Sequence, residues 1–382
     1  MKIVIAPDSF KESLSAKQVC QSVEAGFAQV FPEAEYVHLP LADGGEGTVD
    51  VLMQGLDGIV QTTQVMNPQG ETVDAHWALL DDGNTALIEI ASASGLDLVS
   101  PQDRDPALAT TYGTGELIKE ALEKGVNKVL LGLGGSATND GGAGIVQALG
   151  GKLLDEQGNE IALGGTALSN LSRIDLSNIH PRCQQVEFVI ACDVNNPLVG
   201  ENGASYIFGA QKGASSELID QLDDALNHFG EVSSNLTGTD NRTTLGFGAA
   251  GGASLGLSLL FDIQIKQGIE MVLDTLNADQ VLQGTDLVIT GEGQMDNQTL
   301  QDKTPFGIAK RATLQGIPVI GIAGSLGKEI DELYNVVDST FGTVRSPQPL
   351  EQVLTEAGDN LTRTARNIAA TLKVGAQIFG EK

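Results

Sequence analysis

The sequence predicts an α/β fold: a parallel sheet formed by both ends of the chain, covered by helices on both faces and interrupted by a second, mixed α/β domain. Three observations lead there. Short apolar runs such as residues 2–6 and 286–290 alternate with helix-period segments at each end, the pattern of strands buried on both faces. Residues 72–79 and 85–90 flank Asp81-Asp82-Gly83-Asn84, a hairpin signal inside an otherwise alternating chain. The 382 residues also exceed the size at which one core stops growing, so about two domains are expected. Residues 1–65 and 285–382 are assigned to the first domain and 66–284 to the inserted one.

The elements follow in order. After the strand at 2–6, Ser15 and Gln18 form a capping box ahead of Val19, Val23, Phe27 and Val30 at helical spacing. A strand at 36–39 leads through Ala42-Asp43-Gly44-Gly45-Glu46-Gly47-Thr48 into a short helix ending near Met53. Within the insertion, helices are expected near 113–124, 143–149, 215–236 and 253–261, with strands near 128–133 and 186–191. Towards the end of the chain, Thr304-Pro305 supplies the N-cap and first-turn proline of a helix to about Leu314, 317–322 is a strand, and 360–378 is a long closing helix.

Composition removes several function classes. Lys and Arg total 22 against 50 Asp and Glu, a formal net charge of -28, which disfavours a nucleic-acid partner because phosphate-backbone binding needs clustered cations. The same field repels an anionic substrate, so the few basic residues beside glycine islands, Lys11, Lys212 and Lys303, gain weight. Three cysteines (Cys20, Cys183, Cys192) without a C-x-x-C spacing argue against a disulfide framework and fit a reducing cytoplasm. The apolar run before Pro7 is too short for a signal peptide, and no run of 18 apolar residues occurs, so a soluble protein without a membrane partner is expected.

Glycine makes up 47 residues, in short islands. The densest is Gly134-Gly135-Ser136-Ala137-Thr138-Asn139-Asp140-Gly141-Gly142, between an apolar strand and a short helix. Backbone N–H groups at such a turn, with the hydroxyls of Ser136 and Thr138, suit a phosphate, although the lysine of a Walker A loop is absent. A rival reading takes Gly132-x-Gly134-x-x-Ala137 with Asp155 as a dinucleotide fingerprint and hence an NAD(P)-dependent oxidoreductase; a non-catalytic small-molecule binder is a third. Gly252-Ala253-Ser254-Leu255-Gly256 fits a nucleophile elbow, but His38, His76, His180 and His228 all precede the serine, against the order such hydrolases use, and their lone spacing argues against zinc.

Other candidates follow strands. Asp8-Ser9-Phe10-Lys11 leaves the first strand at the edge where open α/β sheets hold ligands. Asp43 and Glu46 sit among glycines that allow close ligand approach. Glu292 and Asp296 are hard oxygen ligands of the type Mg²⁺ prefers, and Asp193 ends a buried strand where an acid can take a hydroxyl proton.

Together the segments 7–16, 42–48, 113–116, 134–142, 192–194, 196–198, 248–252 and 286–293 resemble the bacterial two-domain glycerate kinases, the type 1 or glycerate 2-kinase group, over nearly the whole chain. The resemblance implies a flavodoxin-like domain split by an insertion and ATP-dependent phosphorylation of D-glycerate, with 2-phosphoglycerate favoured over 3-phosphoglycerate. One departure is Asp302 before Lys303, where the family commonly has glycine. The expected site lies in the cleft between domains. Gly134, Gly135, Ser136, Thr138, Asn139 and Gly141 cradle the ATP phosphates with Lys303; Glu292 or Asp296 holds Mg²⁺; Ser9, Lys11, Asp43 and Glu46 bind glycerate; Asp193 and Lys11 carry the catalysis.

Overall fold

The computed structural model describes residues 1–43, 48–296, 303–328 and 330–380. Its strands, in chain order, are β1 (Lys2–Ile5), β2 (Glu35–His38), β3 (Ile59–Met66), β4 (Thr72–Leu80), β5 (Thr85–Glu89), β6 (Lys128–Gly132), β7 (Lys152–Leu154), β8 (Arg173–Asp175), β9 (Glu187–Ala191), β10 (Ile263–Lys266), β11 (Leu287–Met295), β12 (Val319–Leu326) and β13 (Ser339–Gly342). The chain divides into two compact units, Met1–Gly55 with Gln267–Lys382, and Leu56–Lys266.

The first unit holds a five-stranded sheet in the order β2-β1-β11-β12-β13, parallel throughout. Ile3 and Ile5 of β1 join a core with Val19, Val23 and Phe27 of the helix Ala16–Phe27 and Leu361, Ala365 and Ile368 of the helix Ala357–Phe379. Strand alternation then turns Val4, also fully buried, to the opposite face. Both capping-box bonds form: Gln18 N donates to Ser15 Oγ (3.3 Å) and Ser15 N to Gln18 Oε1 (2.9 Å). Strand order reverses between β1 and β11, which makes their carboxyl ends the switch point where open α/β sheets form a ligand crevice.

The second unit is built on a six-stranded mixed sheet, β10-β9-β6-β5-β4-β3. Strands β5, β6, β9 and β10 are parallel, while β3, β4 and β5 pair antiparallel as a meander. Its core runs from Ile88, Val129 and Phe188 to Leu226, Phe229 and Leu257. The fold class is the α/β architecture expected, a parallel-sheet unit built from both ends of the chain together with a mixed α/β unit.

Some strands escape the sequence pattern. β3 is an edge strand whose Ile59 and Val60 are 64% and 56% exposed, so the apolar residues at its start mark no buried face, although Val65 near its end reaches the core. β13 is a four-residue edge strand and β10 another edge. β11 runs through the glycines to Met295, in register with β12 as far as Leu326, although Gly291 and Gly293 read as loop. Glycine is required at 291, where a Cβ would lie 2.0 Å from the Ile322 carbonyl oxygen.

Candidate active site

At the switch point of the parallel sheet a cavity of about 570 Å³ opens, lined on one side by Asp8, Ser9, Lys11, Asp43, Glu292 and Asp296, with Lys303 beside them. Strand register explains the gathering. β1 and β11 are neighbours, so the turn after β1 and the far end of β11 meet at one edge, and Asp8 N donates to Gly291 O at 2.8 Å. Val344, Leu350, Val353 and Leu354 add an apolar part to the lining, with Thr343 and Gln348 among them.

The charged groups are arranged with different freedoms. Asp8 is half-buried, and desolvation pushes its carboxyl above the usual range; Thr304 Oγ1 (2.7 Å) and the Ser9 amide (2.6 Å) oppose that by donating to it, and nearby Asp43 pushes it further up. Lys303 Nζ lies 3.4 Å from Asp43 Oδ2. Lys11 is exposed at the cavity edge. Gln294 Nε2 donates to Asp296 Oδ2 at 2.9 Å. Glu46 and Asp302 lie outside the described residues. Gln294 and Thr304 also belong to this cluster without being marked by the sequence pattern as site residues, and Asp8, which the sequence marks only as part of the turn after the first strand, is one of its carboxylates.

The residues present fit a magnesium ion of the kind that borrows ligands from a substrate. Glu292 and Asp296 offer hard oxygens to the same cavity, while among the described residues no group of three or more His, Cys, Asp or Glu could hold a metal by itself. Magnesium keeps several waters and takes one or two carboxylates plus phosphate oxygens, so such a donor set suits it.

The second cluster sits at the carboxyl edge of the parallel strands in the other unit. Gly132 of β6 is in register with Ala191 of β9, so Gly134 and Asp193, each two residues further on, leave the sheet side by side. Glu89 and Lys266 end the flanking strands β5 and β10 at the same level, and the sequence reading missed both; Lys266 was hidden with its edge strand. Asp193 is exposed.

In the glycine turn, Gly134 and Gly135 are exposed and Ser136 is nearly buried. The Gly135 carbonyl accepts from Leu96 N and the Ala137 amide donates to Ser94 O, which fixes the turn. Among the described residues the amides of Gly134, Gly135 and Ser136 have no acceptor. The following helix, Ala143–Ala148, is different. Asp140 is fully buried and accepts from Gly142 N (3.1 Å), Gly144 N (3.3 Å), Thr111 N (2.8 Å) and Thr111 Oγ1 (2.9 Å), so the helix start is already capped from within. Gly141 N goes to Gly251 O at 2.9 Å. Thr138 and Asn139 are buried; Asn139 Nδ2 donates to Ser205 Oγ (2.9 Å), while Thr138 Oγ1 is buried without a partner. Gly134 and Gly135 are thus the exposed residues of this segment whose amides have no acceptor among the described residues, with the amide of nearly buried Ser136 next to them.

Under that turn lies Lys212, 2% exposed, with Nζ donating to Thr138 O (2.7 Å) and Ser136 Oγ (3.1 Å). Burial lowers its pKa to about 7, against the opposing pull of Asp140. By sequence Lys212 stands out only as a scarce cation beside a glycine island.

The profile of the Glycerate kinase family matches residues 3–373. The chain belongs to the glycerate kinase family. It is 49% identical to the glycerate 2-kinase of Escherichia coli K12, with all of both chains covered, and 50% identical to a glycerate kinase of Haemophilus influenzae over 97% of this chain and 99% of that one. A crystal structure described as a glycerate kinase 2 of Salmonella typhimurium LT2 superposes with a TM-score of 0.89 at 47% identity, covering 99% of each chain. As a member of the glycerate kinase family the chain is a kinase, a phosphotransferase acting on an alcohol group. Among the described residues no helix is long and apolar enough to cross a membrane.

Proposed function

We propose that this kinase transfers the terminal phosphoryl group of ATP to the 2-hydroxyl of D-glycerate, with Mg²⁺, and that both units contribute to the reaction in the cleft between them. The reading is carried by the convergence of two lysines with carboxylates of the magnesium-binding type in one cavity, in a chain of the glycerate kinase family. The name of the Escherichia coli relative, glycerate 2-kinase, supports the 2-position.

The residues divide the work as follows. Lys11 and Ser9, at the cavity edge, hold the glycerate carboxylate and a hydroxyl, with Asp43 and Glu46 orienting the acceptor. Lys303 draws the terminal phosphate towards them. The amides of Gly134, Gly135 and Ser136 receive the polyphosphate, and Asp193, two residues beyond its strand, takes the acceptor hydroxyl proton. Glu292 or Asp296 would hold the magnesium ion, which when bound neutralises charge building up on the phosphate oxygens. The cavity, about 570 Å³, has room for glycerate, a hydrated ion and a terminal phosphate together.

Magnitudes say why lysines are needed. Enzymes lower a barrier of this kind by at least about 8 kcal/mol, whereas main-chain dipoles at a helix end give about 0.3–2 kcal/mol. Full positive charges must supply much of the difference. The buried free cysteines Cys20, Cys183 and Cys192 suit a reducing cytoplasm. Glycerate-dependent release of ADP from Mg-ATP tests the reading; binding and protection from unfolding by NADH but not by ATP would overturn it in favour of an oxidoreductase.

A further inference from the structure

We infer that Lys212 is a positioning residue of the nucleotide-binding turn: its buried ammonium ties the Ser136 hydroxyl to the Thr138 carbonyl, sets the shape in which residues 134–136 present their donors, and supplies the positive charge that the turn itself lacks. The inference rests on the reading of that turn as the ATP phosphate site.

The geometry argues for this role over a packing role. Removing an ammonium from water is unfavourable, yet Lys212 is 2% exposed and directs its hydrogen bonds to the turn. It is held there from both sides. The next residue, Gly213, has a φ of 99°, and a Cβ on it would meet the Arg104 carbonyl oxygen at 2.5 Å, while Arg104 Nη1 donates to Gln211 O at 3.2 Å. The backbone thus delivers the lysine to one place, under the turn.

What Lys212 does to Ser136 is specific. An ammonium only donates, so Ser136 Oγ accepts from it and its own hydroxyl hydrogen is turned elsewhere. Among the described residues no protein acceptor takes that hydrogen. The Ser136 hydroxyl is thereby kept as a donor within the turn, beside the amides of Gly134, Gly135 and Ser136. The unpartnered, fully buried Thr138 Oγ1 lies in the same segment, next to the carbonyl that Lys212 holds. Asp140 favours the charged lysine, and an anion on the turn acts in the same direction.

Steady-state kinetics on the full chain test this. Lys212→Met, folded by circular dichroism, is expected to raise KM for ATP about tenfold or more while KM for glycerate stays within about twofold, the size of effect of one charge-assisted hydrogen bond. Ser136→Ala is expected to raise KM for ATP less, and to add nothing once Lys212 is replaced. A folded Lys212→Met with an unchanged KM for ATP overturns the inference. If that variant does not fold, Ser136→Ala decides, and an unchanged KM for ATP there overturns it equally. Gly134→Glu separates the two levels: it should destroy ATP affinity if the turn binds phosphate at all. Loss with Gly134→Glu but not with Lys212→Met or Ser136→Ala defeats only the role of Lys212, and no loss with Gly134→Glu defeats the reading of the turn.

Discussion

Thr304 Oγ1 donates to Asp8 Oδ2 at 2.7 Å, joining the turn after β1 to the first residue of the helix Thr304–Leu314 although 296 positions separate them. The contact holds a desolvated carboxylate at the floor of the cavity and fixes the helix that carries Lys303 at its N-cap. Thr304→Val should therefore raise the Asp8 pKa further, because the lost bond favours the charged form. A stability loss of about 1–2 kcal/mol by urea unfolding should accompany it, and carboxyl NMR titration reads the shift.

Lys11 stands at the same edge without burial. Its substitution should leave the fold intact and reduce turnover, since the charge acts on substrate and transition state more than on packing. For Lys11→Ala a fall in kcat of about 100-fold or more is expected, with an unchanged melting temperature. Normal kinetics in this variant would remove Lys11 from the mechanism.

Gly251 supports the glycine turn of the second unit from below. Its φ is 66°, and a Cβ there would lie 2.0 Å from the Thr138 carbonyl oxygen, the one that Lys212 also holds. Gly251→Ala is expected to destabilise the protein by about 2–4 kcal/mol through strain and displacement of that strand-end segment. Denaturant midpoints of the two proteins measure it.

Lys212 also predicts a pH dependence of stability. Its pKa falls from 10.5 to about 7 on folding, so above 7 the unfolded chain binds more protons than the folded one, and stability rises with pH across that window. Lys212→Met abolishes this contribution. The stability of the wild type relative to the variant should increase from pH 7 towards pH 10 and stay flat below 7; a constant difference across the range contradicts the assignment.

The parts of this account legible from sequence were those with a local physical signature. The capping box at Ser15 and Gln18 forms as the sequence predicts, and the ends of β1 and β6, at Ile5 and Gly132, are marked by apolar runs that stop shortly before Asp8 and Gly134. Pattern failed where burial did not alternate: β3 exposes Ile59 and Val60, and β11 continues through Gly291 because a neighbouring carbonyl excludes any side chain there. The inward turn of Asp140 and the burial of Lys212 depend on Thr111 and Arg104, far along the chain, which no local spacing reports. Donors in the Gly134 segment were overcounted for the same reason, since the partner of the Gly141 amide is Gly251.

The central claim is that glycerate receives phosphate from ATP at its 2-hydroxyl, and phosphorus NMR of a single incubation with D-glycerate and Mg-ATP tests it most directly. The account predicts 2-phosphoglycerate accumulating in step with ADP, and none when magnesium is chelated. Accumulation of 3-phosphoglycerate would contradict the assigned position, and the absence of any glycerate-dependent phosphorus signal would contradict the activity itself.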